Sequence, residues 1–291
     1  MEESQDSMAL FIVVLYNKAV VDSATIQSLA NYKFEKSKII VFNNGPMGVV
    51  LTDEDKAKLN NTFCSHELVN CIENKPLSML YNDIINNNRN FNKFVILDDD
   101  SIITDSFSNI VNSSNFDLEL PRIQSVIDDK TYYPINDKKI VLCNGILNPK
   151  TVVSIASGMI INNRLVDIFR QYNLQLFDDS FALYGVDASF FRRLNYIALK
   201  EDIKVNTSSI IIHSLSRIEK KEKIYSSHER IIDITLSTKK YPSVHLIYIF
   251  LLMLSKQIAN LDFSSVMLVF KTFLGGEHER CKLWKNRVKS S

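Results

Sequence analysis

Three short apolar runs constrain this chain more than any other feature: LFIVVL at 10–15, KIIVF at 38–42 and FVIL at 94–97. Each is rich in β-branched or aromatic residues and too short for a buried helix, so each reads as a buried strand. Helical patterns lie between them. Residues 23–29 suit a helix with Asp22 or Ser23 as N-cap, and 53–59 suit a short polar one. Residues 76–86 place Leu77, Leu80, Tyr81, Ile84 and Ile85 on one helical face. A further strand is expected over 63–72. Strands alternating with helices imply βαβ units, hence an α/β fold with a mostly parallel central sheet and flanking helices.

Sheets of that kind bind ligands beyond the carboxyl ends of their strands. Three polar groups stand at those ends: Tyr16-Asn17, Asn43-Asn44 and Asp98-Asp99-Asp100. Residues 105–160 are less regular, with strands expected at 120–127 and 139–142. Ser157-Gly158 introduces a strand at 159–161 and a helix over 164–172. Another helix begins near Val186, and a strand at 209–212 delivers His213. Beyond about residue 219 the pattern is helical and basic. The expected organisation is a domain over 8–218 followed by a helical extension over 219–291.

Composition narrows the function. With 34 Lys and Arg against 33 Asp and Glu the net charge is +1, which offers no broad footprint for nucleic acid. Cys64, Cys71, Cys143 and Cys281 form no CxxC pair, so they read as reduced thiols rather than a zinc site or disulfide framework. The acidic N-terminal residues do not resemble a targeting peptide. The longest apolar run, 244–254, falls short of the roughly 20 residues of a spanning helix. A cytoplasmic protein is expected, either free or peripheral at the inner face of the cell membrane.

Three adjacent carboxylates at a strand end repel one another unless a cation or hydrogen-bond donors compensate. Mg²⁺ and Mn²⁺ prefer oxygen ligands and often bridge a carboxylate to substrate phosphates. A D-x-D arrangement there suits a metal held against a diphosphate; the plain alternative is a solvated acidic turn.

The order of these pieces resembles a bacterial family 2 glycosyltransferase, a nucleotide-sugar enzyme with a single Rossmann-like (GT-A-like) domain, over about residues 10–215. FIVVLYN resembles the opening strand that receives the nucleotide, followed by the helix near Ser23 with Thr25 and Ser28. IIVFNNGP resembles the second strand, with Asn43 where an aspartate often contacts base or ribose. In NKPLSMLYNDII, Asn82 matches the asparagine of an Arg-Asn pair and Tyr81 replaces the arginine. FVILDDDSII matches the D-x-D strand: the resemblance implies that Asp98 faces the nucleotide, Asp99 contacts ribose or sugar, and Asp100 ligates Mn²⁺ or Mg²⁺.

The resemblance also implies that Gly158 lines the donor-sugar pocket and that His213 completes the metal shell. Asp187 matches the catalytic aspartate, with Val186 in place of a frequent glutamate; a cap at a helix N-terminus is its local alternative. A carboxylate opposite the metal would accept the acceptor hydroxyl's proton, so inversion is expected. Arg217 is a further candidate for the diphosphate. The implied donor is a UDP-sugar or a dTDP-sugar. The implied acceptor is a glycan or lipid-linked saccharide of cell-surface polysaccharide synthesis.

Residues 241–274 carry apolar side chains at helical spacing, with basic residues and Trp284 following. They suit a membrane interface, or packing against the catalytic domain or a second subunit as in a homodimer. Rival functions are a haloacid-dehalogenase-type phosphohydrolase, with Asp98 as nucleophile, Asp100 as acid and Asp178-Asp179 as a later acidic pair, and a noncatalytic sugar-binding or scaffold protein. A sugar nucleotidyltransferase is disfavoured, because no glycine-rich basic loop follows the first strand.

Overall fold

In the computed structural model the described residues are 8–113, 115–214 and 224–290. Arg217 lies outside them. The chain divides into two compact units. The first comprises Met1–Asn74, Ile85–Leu174 and Leu194–Glu219; the second comprises Lys75–Ile84, Gln175–Arg193 and Lys220–Ser291. The second unit therefore takes in two stretches well before residue 219.

The first unit opens with β1 (Ala9–Leu15), α1 (Ala24–Leu29), β2 (Phe34–Asn43), α2 (Asp53–Thr62) and β3 (Phe63–Asn70). After α3 (Leu77–Asn87), whose early turns belong to the second unit, come β4 (Lys93–Asp98), β5 (Ser101–Ile103) and α4 (Asp105–Val111). Short strands follow: β6 (Leu118–Glu119), β7 (Arg122–Ser125), β8 (Thr131–Tyr133), β9 (Ile135–Asn136), β10 (Lys139–Ile140), β11 (Gly145–Leu147) and β12 (Ile160–Asn162). Next are α5 (Asn163–Gln171), α6 (Val186–Ile197), which begins in the second unit, β13 (Val205–Thr207) and β14 (Ile210–His213).

Eight strands form the main sheet in the order β11-β13-β6-β12-β4-β1-β2-β3. The run β4-β1-β2-β3 is parallel throughout, whereas β12 enters antiparallel between β4 and β6. Every residue of β1 is buried, as expected for a strand covered on both faces. Phe11, Phe34 and Phe63 meet on one face with centroids 4.6–5.4 Å apart, so truncating Phe11 would remove about 3–5 kcal/mol.

The local signals explain the helix starts. Ser23 caps α1 by accepting from the Ile26 N–H, and Thr52 with Asp55 closes a capping box on α2. The sequence pattern did not disclose β5. Its three residues pair antiparallel with β14 in a second sheet, ordered β5-β14-β7-β8, and a strand that short has no periodicity to read.

The second unit is helical: the 77–84 part of α3, the start of α6, and α7 (Ile224–Lys240), α8 (Val244–Ala259), α9 (Phe263–Gly275) and α10 (Glu279–Ser290). Tyr81 packs on Phe177, and Phe177 on Phe190. Trp284, for which the sequence leaves both lipid contact and packing open, packs with Met79, Ala182 and Cys281 and lies under the Lys75 ammonium at 5.4 Å. No helix among the described residues is long and apolar enough to cross a membrane.

Candidate functional site

β4 ends at Asp98 and β5 begins at Ser101, so the triple aspartate is a turn between the two sheets. α1 and the residue before it hold the turn's backbone. The Thr25 hydroxyl donates to the Asp98 carbonyl at 2.5 Å and accepts from the Ser101 N–H at 2.8 Å. The Ser23 hydroxyl donates to the Asp99 carbonyl at 3.1 Å. The Ser157 hydroxyl, just before β12, accepts the Asp98 N–H at 3.0 Å.

The three carboxylates part company. Asp99 meets the Lys18 ammonium at 2.5 Å and accepts from the Tyr16 N–H at 3.3 Å. Asp98 and Asp100, two residues apart, share a side with His213 at the end of β14. Ligand atoms of these three residues all lie within 4.8 Å of one another. His213 Nδ1 is 3.2 Å from Asp100 Oδ1, and Nε2 is 4.0 Å from Asp98 Oδ2. Ser101 Oγ lies 3.0 Å from His213 Nδ1 and 2.9 Å from Ser157 Oγ, a hydroxyl relay that orients the ring.

Burial pushes the Asp98 carboxyl up to about 6; the His213 charge opposes that rise, while Asp100 and Asp99 reinforce it. Asp100 is raised for the same leading reason, against the pull of His213. Asp100 Oδ1 is a buried oxygen that accepts no hydrogen bond from the described residues, its 3.2 Å approach to His213 Nδ1 being an ion-pair contact alone. A buried acceptor without a donor is costly unless something cationic satisfies it. Two carboxylates and an imidazole form a donor set suited to Mn²⁺, and acceptable to Mg²⁺. The residues therefore fit a divalent cation.

The other expected positions sort by what they touch. Tyr16 and Asn17 are exposed beyond β1, with Asn17 left-handed at φ 51° and its N–H on the Gly45 carbonyl at 2.8 Å. Asn43 is buried, donating to the Met47 carbonyl at 2.6 Å and to Asn70 Oδ1 at 2.7 Å, so it shapes the loop after β2. Gly158 has φ +89°, and a Cβ there would fall 2.5 Å from Pro121 and 2.6 Å from Ile211, so backbone conformation and packing both require glycine.

Asn82 and Asp187 belong to the second unit. The Asn82 amide donates to the Phe177 carbonyl and to Asp179 Oδ1, both at 2.8 Å, and accepts from the Phe177 N–H at 3.1 Å. Its groups are thus engaged in holding 177–179. Asp187 is half-buried in the first turn of α6, inside the helix rather than at its cap, where the helix dipole favours its charge.

Sequence reasoning missed Lys18, Ser101 and Ser157 as parts of this site. A lysine three residues past a strand and serines in loops carry no distinguishing pattern.

No protein-family model matches the sequence, and no curated protein matches it. Solved structures do. GalNAc-T7 with UDP, GalNAc and Mn²⁺ superposes with TM-score 0.52 at 13% identity, covering 72% of this chain and 44% of that one. S. aureus TarS 1–349 gives 0.52 at 11% identity, covering 94% and 93%. Its complex with UDP-GlcNAc gives 0.55 at 11% identity, covering 94% and 82%. The chain spans less than half of the GalNAc-T7 chain and 46% of a longer TarS chain. At such identities the likeness is one of architecture, and it agrees with the mixed sheet and flanking helices described above: the chain has the GT-A fold of the nucleotide-sugar glycosyltransferases.

Proposed function

We propose that this protein is a metal-dependent, inverting glycosyltransferase that moves a sugar from a nucleoside-diphosphate donor to a saccharide or lipid-linked acceptor. The observation that carries the reading is the Asp98–Asp100–His213 cluster, with its donorless buried Asp100 oxygen, at the strand ends of a GT-A fold. UDP is the favoured nucleotide, because GalNAc-T7 and TarS were each solved with UDP or a UDP-sugar.

In this reading Asp100 and His213 hold Mn²⁺ or Mg²⁺, with Asp98 beside them. When bound, the cation offsets the charge that develops on the leaving diphosphate. Tyr16 offers an exposed ring and Asn17 an exposed amide for the nucleoside. Lys18 holds Asp99 in place at 2.5 Å. Asp187 accepts the proton of the attacking acceptor hydroxyl.

The haloacid-dehalogenase alternative has little left to support it. The fold is of another type, and Asp178 is engaged by Arg193 and Tyr241.

The test is a thermal-shift panel of UDP, dTDP and GDP, each with and without Mn²⁺. UDP with Mn²⁺ is expected to stabilise the protein more than either alone. A flat response to every pair would favour the noncatalytic scaffold instead. Asp187→Asn should leave that binding intact and lower turnover of a UDP-sugar by about 100-fold or more; full turnover in that variant would remove Asp187 from the base role.

A further inference from the structure

Soluble helices turn their apolar side inward, but α8 and α9 do the reverse. α8 has no buried residue. Val244, Ile247, Tyr248, Leu251 and Leu252 recur at spacings of three and four along one exposed side, Val244 at 87% exposure. On α9, Phe263, Met267, Phe270 and Leu274 form a second exposed stripe at 56–80%. The inner contact is modest, with Phe250 and Phe273 centroids 6.2 Å apart. Two consecutive helices with apolar outer stripes form an exposed patch of the kind that marks an interaction surface.

Charge selects the occupant. Residues 239–290 hold nine Lys and Arg against three Asp and Glu, in a chain whose net charge is +1. Among these cations, Lys271 and Lys285 pair with Glu279 and Glu277, and Lys239 donates to the Phe273 and Leu274 carbonyls. Lys240, at the end of α7, and Lys256, in the last turn of α8, are exposed. A second copy would set this net-positive region against its own. An anionic bilayer complements it, offering hydrocarbon to the stripes and phosphate to the lysines.

We infer that α8 and α9 dock the protein flat on an anionic lipid surface, with their apolar stripes in the headgroup–acyl boundary. Nothing in this inference depends on the catalytic reading, and its test uses no nucleotide. The full chain is sedimented with vesicles of phosphatidylglycerol mixed with phosphatidylcholine, and with phosphatidylcholine alone. Strong partition onto the mixed vesicles is expected, falling by about tenfold or more on the neutral ones or in high salt.

Leu251→Glu with Phe270→Glu should lower partition by about tenfold or more. Both side chains are exposed, and circular dichroism checks that the fold is kept. Lys240→Glu with Lys256→Glu should weaken binding to the mixed vesicles by a similar factor without touching the stripes. No sedimentation with mixed vesicles overturns the inference. So does a concentration-dependent dimer, seen by analytical ultracentrifugation, that Leu251→Glu with Phe270→Glu dissolves.

Discussion

Asp178 and the pair Asp98 and Asp100, each in a run of adjacent aspartates, have opposite physical characters. Asp178 in the second unit is satisfied: its carboxylate accepts from Tyr241 at 2.7 Å and the Ser180 N–H at 2.9 Å, and pairs with Arg193 at 3.0 Å. Burial pushes its pKa up, but the Arg193 charge and those hydrogen bonds outweigh burial and hold it below 3.8. Asp98 and Asp100 in the first unit are raised, and one Asp100 oxygen has no donor among the described residues. The contrast separates a carboxylate whose charge is matched within the fold from the carboxylates at which the proposed cation would bind.

Asp178→Ala tests the satisfied side and should have the largest effect on stability. It leaves the Arg193 guanidinium, itself mostly buried, with Tyr241 and the Gln175 carbonyl but without its carboxylate, so a loss of about 3–5 kcal/mol is expected in urea denaturation. A loss below about 1 kcal/mol would erase the contrast.

Asp100→Ala tests the other side. Affinity for Mn²⁺ together with UDP should fall by about 100-fold, read by titration calorimetry. The stability of the metal-free protein should hold or rise, because a like-charged buried carboxylate has gone. Undiminished metal-dependent nucleotide binding would remove Asp100 from the metal site.

pH separates the two sides, because Asp178 is shifted down where Asp98 and Asp100 are shifted up. Asp98 and Asp100 have folded pKa values above 3.8, so their contribution to stability is full below that value and is lost as pH rises through about 6 for Asp98. A bound cation reverses that loss. The rise in melting temperature on adding Mn²⁺ should therefore be larger at about pH 7.5 than at about pH 5. Asp178 contributes above 3.8 and its contribution is lost as pH falls through its depressed value. An equal Mn²⁺ increment at both pH values would contradict this account.

The smallest effect is expected from Ser157→Ala. It leaves the Asp98 N–H without its acceptor and interrupts the relay to His213, costing about 1 kcal/mol. Metal affinity should drop by less than in Asp100→Ala, since the ligands remain.

The strands were legible because an apolar run of four to six residues between helical patterns has few other fates. β1 and β4 lie within a residue or two of where the pattern put them. The D-x-D turn was legible for a related reason: it follows an apolar strand directly, and i, i+2 spacing lets two carboxylates face one way. Asn43 and Asn82 were less so. Their positions suggested ligand contact, yet their amides are engaged by the loops around them. Composition at one position cannot reveal which neighbours arrive from 27 or 95 residues away.

Local pattern along the chain sets the alternation that builds the parallel half of the sheet, the acidic turn at the end of β4, and the helical, basic character of the last seventy residues or so. Those are local properties, governed by periodicity and short-range sterics. Long-range pairing brings His213 to Asp98 and Asp100, because that meeting depends on β14 pairing with β5 across more than a hundred residues. Tertiary packing also leaves the apolar stripes of α8 and α9 uncovered among the described residues. Periodicity identifies an apolar face; packing alone decides what, if anything, covers it.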